Sequence, residues 1–137
     1  MTEAYAKPLP RIDALNKGFW ELAHDHKLAV QTCSSCRDRH FPPSPVCPRC
    51  LSKDQEWEVV SGRGTLVSWV TFHRAYWGGF AADLPYDVCL VALDEGPMMV
   101  SNLVGAKEGD AAVGARVQVT FEKATDAITL PKFTLAV

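Results

Sequence analysis

Two hydrophobic periodicities divide this chain. Between Ile12 and about Lys27, the apolar residues Ile12, Leu15, Phe19, Leu22 and Ala23 recur at three- and four-residue steps, which puts them on one face of an amphipathic helix. Trp20 lies off the centre of that face, where packing against the rest of the chain is favoured over contact with another subunit. From Glu56 onward the repeat shortens to about two residues. Trp57 and Val59 alternate before the glycines Gly62 and Gly64, and β-rich runs follow at Thr65–Phe72, Asp87–Leu93, Met98–Val104 and Arg116–Glu122. In the last of these Val117, Val119 and Phe121 share one side. The closing stretch ITLPKFTLA carries Pro131, which marks an edge or a break. Five or six short strands with glycine-rich turns and no second helix predict a mainly β chain closing into a small barrel. The five-stranded OB-fold fits this length.

Between the two patterns, after a short strand-like piece at Leu28–Thr32, lies CSSCRDRHFPPSPVCPRC, residues 33–50. Pro42, Pro43, Pro45 and Pro48 exclude helix here, so turns must be held by something other than a backbone ladder. Cys33-x2-Cys36 and Cys47-x2-Cys50, separated by ten residues, supply four thiolates on two turns. Zinc takes such a set in a tetrahedron, and with all four positions filled by protein none remains for water or substrate. The expectation is a structural zinc ribbon. Its apparent binding energy, about 10–16 kcal/mol, exceeds what so short a loop gains by burial. Iron in a rubredoxin-like shell uses the same ligands; zinc is favoured because nothing signals a redox partner. A thioredoxin-like role is weaker, since neither CxxC opens a helix in a βαβ pattern. Arg37, Arg39 and Arg49 are read as compensating the cluster's negative charge, and His40 as a spare ligand that four cysteines make unnecessary.

The resulting division is an N-terminal arm and helix over 1–30, a ribbon over 31–54 and a barrel over 55–137. The first ten residues, with Pro8 and Pro10, read as an extended arm. One connection, HRAYWGGFAADLPY from His73 to Tyr86, is long for a compact domain and rich in aromatics. Such loops are functional or disordered, and aromatic content argues against disorder. Either it folds back over the barrel mouth or a partner covers it.

Composition narrows the function. A hydrophobic fraction of 47% with 22% charged residues is ordinary for a folded globular chain. A net charge of −2 gives no global attraction to phosphate backbones or anionic lipid. No apolar run approaches the length of a bilayer span and no signal-peptide pattern opens the chain, so no membrane association and a cytoplasmic location are expected. The fifth cysteine, Cys89, sits in an apolar run and reads as a small buried hydrophobe. His24 and His26 suit the end of the helix dipole, and His73 heads the aromatic loop. GxxxxGK[ST], GxGxxG after a strand, GxSxG and HExxH are all missing, so a catalytic centre made by this chain alone is not visible.

Helix, four-cysteine ribbon and barrel in that order resemble a known family, the proteins catalogued as domain of unknown function thirty-five. The likeness is carried by FWELAHDHKLAVQTCSSCRDRHFPPSPVCPRC, by SGRGTLVSWVTFHR and by LPYDVCLVALDEGPMMVSNLV. It implies a non-catalytic accessory subunit that supports a thiolase-fold partner, a thiolase or a retro-aldol lyase, acting on acyl-CoA thioesters such as aromatic or steroid side-chain intermediates. The partner holds the catalytic residues. The resemblance carries over only the metal ligands, Cys33, Cys36, Cys47 and Cys50. A hetero-oligomer with two of each chain and a coenzyme A thioester bound with the partner are further implications. Candidate contacts with the partner or its substrate channel are His73, Tyr76, Trp77, Phe80 and Tyr86 of the loop and Phe19 and Trp20 of the helix. The alternative from another class is an OB-fold protein binding single-stranded nucleic acid, with Trp69, Phe72 and Trp77 as stacking platforms. Against it stand the net charge and the lack of a basic stripe. A free-standing redox ribbon is the third reading.

Overall fold

The computed structural model describes residues 5–136; residues 1–4 of the expected arm, and residue 137, lie outside the described residues. The amphipathic segment forms a helix shorter than its periodicity, α1 (Lys17–His24). Its start is delayed by a clasp in which Asp13 N–H donates to Asn16 Oδ1 at 2.8 Å and Asn16 N–H donates to Asp13 Oδ1 at 2.9 Å. These bonds close a turn over residues that the hydrophobic repeat alone assigns to helix. Its end is a Schellman motif: Lys27 N–H reaches Leu22 O and His26 N–H reaches Ala23 O, both at 2.9 Å, with His26 at φ 59°. Phe19 and Ala23 are buried. Gly18 admits the Trp57 ring, because a β-carbon there would lie 2.3 Å from Trp57 Nε1.

The first sheet comprises β1 (Leu28–Cys33), β2 (Arg39–His40) and β3 (Gln55–Val60) in the order β2-β1-β3, all antiparallel. β1 is buried at every one of its six residues. β3 pairs with β1 from Leu28↔Val60 to Cys33↔Gln55. The expected barrel segment, 55–137, therefore begins with a strand that the barrel does not use. That strand closes the ribbon's sheet and feeds directly into the barrel.

The barrel follows with β4 (Arg63–Phe72), β5 (Tyr86–Leu93), β6 (Met98–Leu103), β7 (Arg116–Lys123) and β8 (Thr129–Leu135). It closes in the order β4-β5-β6-β8-β7, with one parallel contact, Leu103↔Phe133, between β6 and β8. Numbered within the barrel this is 1-2-3-5-4, so the chain is the expected five-stranded OB-type barrel. A bulge between Leu66 and Ser68 changes the course of β4. Its first residues, Arg63–Thr65, pair with β7, and beyond Leu66 it pairs along β5 alone. Pro131 sits in β8 opposite Phe121, where its carbonyl accepts from Ser101 Oγ at 2.8 Å. Leu66, Val91, Val117 and Phe133 fill the interior, and they form one contiguous core with Phe19 of the helix and Leu28, Val30 and Val60 of the ribbon sheet. Among the described residues no helix is long and apolar enough to cross a membrane.

Candidate metal centre and partner-facing surface

The two CxxC turns are built alike in their backbone bonds. Arg37 N–H bonds Cys33 O at 2.8 Å, as Leu51 N–H bonds Cys47 O at 2.9 Å. Cys33 N–H bonds Asp38 O at 2.9 Å, as Cys47 N–H bonds Ser52 O at 2.8 Å. Arg37 and Leu51 both take the left-handed conformation, at φ 65° and 66°. Each turn also aims amide N–H groups at sulfur: Cys36 N–H at Cys33 Sγ (3.5 Å) and Arg49 N–H at Cys47 Sγ (3.4 Å).

This repetition brings the four sulfurs within 4.8 Å of one another. Cys33 Sγ lies 3.5 Å from Cys50 Sγ, and Cys36 Sγ 3.6 Å from Cys47 Sγ. A tetrahedral zinc shell with bonds of about 2.3 Å requires sulfurs about 3.8 Å apart, so the four residues fit the ion with small shifts. Cys33 and Cys47 are buried, Cys36 half-buried and Cys50 exposed. Zinc there would supply folding energy, and the complete thiolate set leaves no position for substrate.

Without a cation the cluster cannot ionise fully. The Cys36 N–H holds Cys33 down at about 6. Cys36 is pushed up to about 12: the Asp38 N–H lowers it, but desolvation and hydrogen bonds to the neighbouring sulfurs prevail. Cys50 is also raised, against the Ser52 N–H, by its bond to the Cys33 sulfur and by burial.

Arg37 and Arg39 are committed away from the cluster. Arg37 pairs with Glu56 at 3.2 Å, and Arg39 forms a fork on Glu58 at 2.5 and 3.0 Å, so both compensate carboxylates of β3. His40 is buried behind the centre, in a group with Asp38 and Cys47. Its Nε2 lies 2.8 Å from Gln31 Oε1, which also accepts Ser44 N–H at 2.8 Å. Because that amide fixes Gln31 Oε1 as an acceptor, Nε2 carries the proton, and His40 props the proline-rich loop. Cys89 is 1% exposed, and desolvation pushes its thiol up to about 11. It is a neutral core group at physiological pH.

The aromatic loop is anchored at one end and projecting at the other. Phe80, in a 3-10 turn over Gly78–Asp83, packs on Tyr86 with ring centroids 5.3 Å apart. Tyr86 stacks on Phe72 at 5.0 Å, and Phe72 meets Tyr76 edge-on at 5.9 Å. The N-terminal arm pins this end, with Lys7 paired to Asp83 and its ammonium 5.5 Å from the Phe80 ring. Gly79 is required where the arm crosses, since a β-carbon would lie 2.3 Å from Ala6 O. Tyr76 and Trp77 remain 64% and 61% exposed, and His73 is exposed at the head of the loop. Of the two helix residues, Phe19 is only 5% exposed and belongs to the core. Trp20 is half-buried, packed edge-on against Phe19 at 4.9 Å, and lines the groove beside β6.

Two surfaces were not anticipated from the sequence. A cavity of about 330 Å³ between loop and barrel is lined by Lys7, Phe80, Asp83, Tyr86, Glu122 and Lys132, among others. Its lysines are already paired, Lys7 with Asp83 and Lys132 with Glu122. The second is the outer face of β4–β6, where Val70↔Val88, Ser68↔Leu90, Leu90↔Val100 and Ala92↔Met98 pair side by side.

Residues 20–56 match the family described as "ChsH2, rubredoxin-like zinc ribbon domain", and residues 57–122 match "ChsH2, C-terminal OB-fold domain". A solved chain titled "Ltp2-ChsH2(DUF35) aldolase" superposes with a TM-score of 0.85 at 34% identity, over 94% of this chain and 100% of that one. This chain belongs to the ChsH2 (DUF35) family. Two curated relatives of this DUF35 unit differ in extent. A "Probable enoyl-CoA hydratase alpha subunit" of Thermomonospora curvata is 34% identical over 96% of this chain, which spans only 40% of that relative's length. A "DUF35 domain-containing scaffold protein" of Pyrococcus furiosus is 33% identical over 64% of this chain and 65% of its own length.

Proposed function

We propose that this DUF35 chain is a non-catalytic accessory subunit of a thiolase-fold enzyme acting on acyl-CoA thioesters, the retro-aldol kind being preferred over a thiolase. One observation carries the reading: the likeness to a chain titled as part of an Ltp2-ChsH2(DUF35) aldolase extends over that chain's whole length. The larger hydratase relative matches only in part, so its named activity is not carried over. In this reading the zinc centre fixes the ribbon against helix and barrel, and the reacting residues lie on the partner. The projecting Tyr76 and Trp77, with His73 and Trp20, touch that partner or border its substrate channel. The assembly holds two of each chain and works in the cytoplasm, where reduced thiols suit a thiolate cluster. The substrate is the CoA thioester of a steroid or aromatic side-chain intermediate, bound with the partner.

The test is reconstitution. The purified chain alone should show no aldolase or thiolase turnover. Co-expressed with an Ltp2-type thiolase-fold subunit from the same organism, it should copurify and raise that subunit's soluble yield and its cleavage of a β-hydroxyacyl-CoA. Robust turnover by the isolated chain, or a partner that is fully active and stable without it, would sink the reading.

The nucleic-acid reading gains no support from the barrel. OB-folds bind oligonucleotides on the face of their second and third strands, here β5 and β6. The outward residues Val88, Leu90, Met98 and Val100 offer no cation, and the outward ring of β5, Tyr86, is already stacked on Phe72.

A further inference from the structure

The outer barrel face breaks the rule by which an antiparallel strand alternates. A strand with one side in the core normally turns polar residues to water. In β5 the inward residues Cys89, Val91 and Leu93 are buried, yet the outward positions Val88, Leu90 and Ala92 are apolar too. Their cross-strand neighbours continue the pattern: Val70, Val100 and Met98 are 56%, 66% and 49% exposed. Thr65, Ser68 and Asn102 are the polar members of these rows within β4–β6, and the charge that adjoins them, Arg116 of β7 opposite Thr65, is paired with Asp94.

The face also continues at both ends. At one end the next row is Phe72 opposite Tyr86, with Tyr76 edge-on to Phe72. At the other, Val100 leads into a groove of about 250 Å³ shared with Phe19, Trp20 and Phe41. Polar pairs border the strip, among them Arg116 bound to Asp94 at 2.7 Å beside Thr65 and Lys132 bound to Glu122 at 2.8 Å.

We propose that this strip, running from Tyr76 across Val70, Leu90 and Val100 to Trp20, is the docking face for the thiolase-fold subunit. The inference rests on the accessory-subunit reading and adds the surface that carries it. The chemistry selects the occupant. A phosphate polymer needs cations along its track, and Arg116, at the edge of these rows, is already held by Asp94. The centre of a lasting protein interface is depleted of charge, enriched in aromatic residues and methionine, and ringed by polar groups. Size points the same way. Three strands about 4.8 Å apart and four rows deep cover on the order of 10 by 20 Å, short of the roughly 800 Å² per side of a stable complex. The loop aromatics and the Trp20 groove must therefore belong to the same footprint, which requires a broad folded surface rather than a single peptide strand. A folded partner of that breadth is what the full-length likeness to an aldolase-assembly chain supplies.

The test compares full-length chains, each co-purified and titrated against an Ltp2-type thiolase-fold subunit from the same organism. Val100→Asp and Val100→Lys place either sign of charge at the centre of the strip, and Val113→Asp does the same at an equally exposed valine outside it. Both Val100 changes should weaken association at least 100-fold, with Val113→Asp within threefold of wild type. If either Val100 variant proves unstable, hydrogen exchange on the wild-type complex decides. Binding should then protect β4–β6 amides, and no added protection there would overturn the face. Full binding by both Val100 variants would overturn the face and leave the accessory reading standing. A wild-type chain that fails to bind the subunit would defeat both. Dimerisation of the isolated chain that Val100→Asp abolishes would overturn the proposal in favour of a second copy.

Discussion

Leu51 is held at φ 66° with 71% of its surface exposed, a costly conformation for a residue with little packing to lose. The second knuckle demands it, because the Leu51 N–H must reach Cys47 O just as Arg37 reaches Cys33 O. A left-handed conformation costs a non-glycine residue about 1–2 kcal/mol, partly offset by glycine's greater freedom when unfolded. Leu51→Gly should thus stabilise the zinc-loaded chain by about 0.5–1 kcal/mol, seen as a higher unfolding midpoint; a lower one would show that Leu51 packs on something in the native state. The sulfurs give a second expectation. Cys36 and Cys50 are raised in the metal-free cluster, Cys36 to about 12, so both are protonated at neutral pH, whereas Cys33, at about 6, is already a thiolate. Zinc binding must release the first two protons, and affinity must rise with pH. Calorimetric zinc titrations at pH 7 in buffers of different ionisation heat should count at least those two protons, and proton-neutral binding would contradict the assignment.

At the scale of elements, Gly18 decides how the helix meets the ribbon sheet. Alanine is ordinarily better than glycine inside a helix by about 1 kcal/mol. Here its β-carbon would strike the Trp57 ring at 2.3 Å, and overpacking of that kind costs about 1–3 kcal/mol. Gly18→Ala should therefore destabilise the chain in denaturant titrations, and Trp57→Leu in the same background should recover part of the loss. A Gly18→Ala chain more stable than wild type by about 1 kcal/mol would mean that the ring moves aside freely. The same contact shows what a sequence conceals. The cysteine spacing and the strand runs could be read directly, because metal geometry and two-residue alternation are local constraints. The helix start could not, since the Asp13–Asn16 clasp competes with a hydrophobic repeat that continues through it. Nor could the partner of β3, because pairing with β1 is non-local. The docking strip was hidden for another reason: DVCLVAL is apolar on both faces, and only the register against Val70 and Val100 separates core from surface.

For the whole molecule the decisive fact is that ribbon and barrel share one core. Phe19, Leu28, Val30 and Val60 come from the helix and first sheet, and they pack in the same cluster as Leu66, Val91 and Phe133 of the barrel. A division at residue 54 would strip β1 of β3 along six paired positions and expose its buried residues to water. The zinc centre lies at the far end of that sheet, where Cys33 terminates β1. Its binding energy is therefore transmitted to the barrel through β1 and β3 rather than confined to a separate small domain. Unfolding should be a single transition, with circular dichroism and tryptophan fluorescence giving the same midpoint. For a chain of this size each kcal/mol lost lowers the midpoint by about 3–5 °C, so zinc removal by a strong chelator should lower the common midpoint by more than about 10 °C. A chelated chain that keeps the barrel's midpoint while the ribbon melts earlier would refute the shared core and establish two independently folding units.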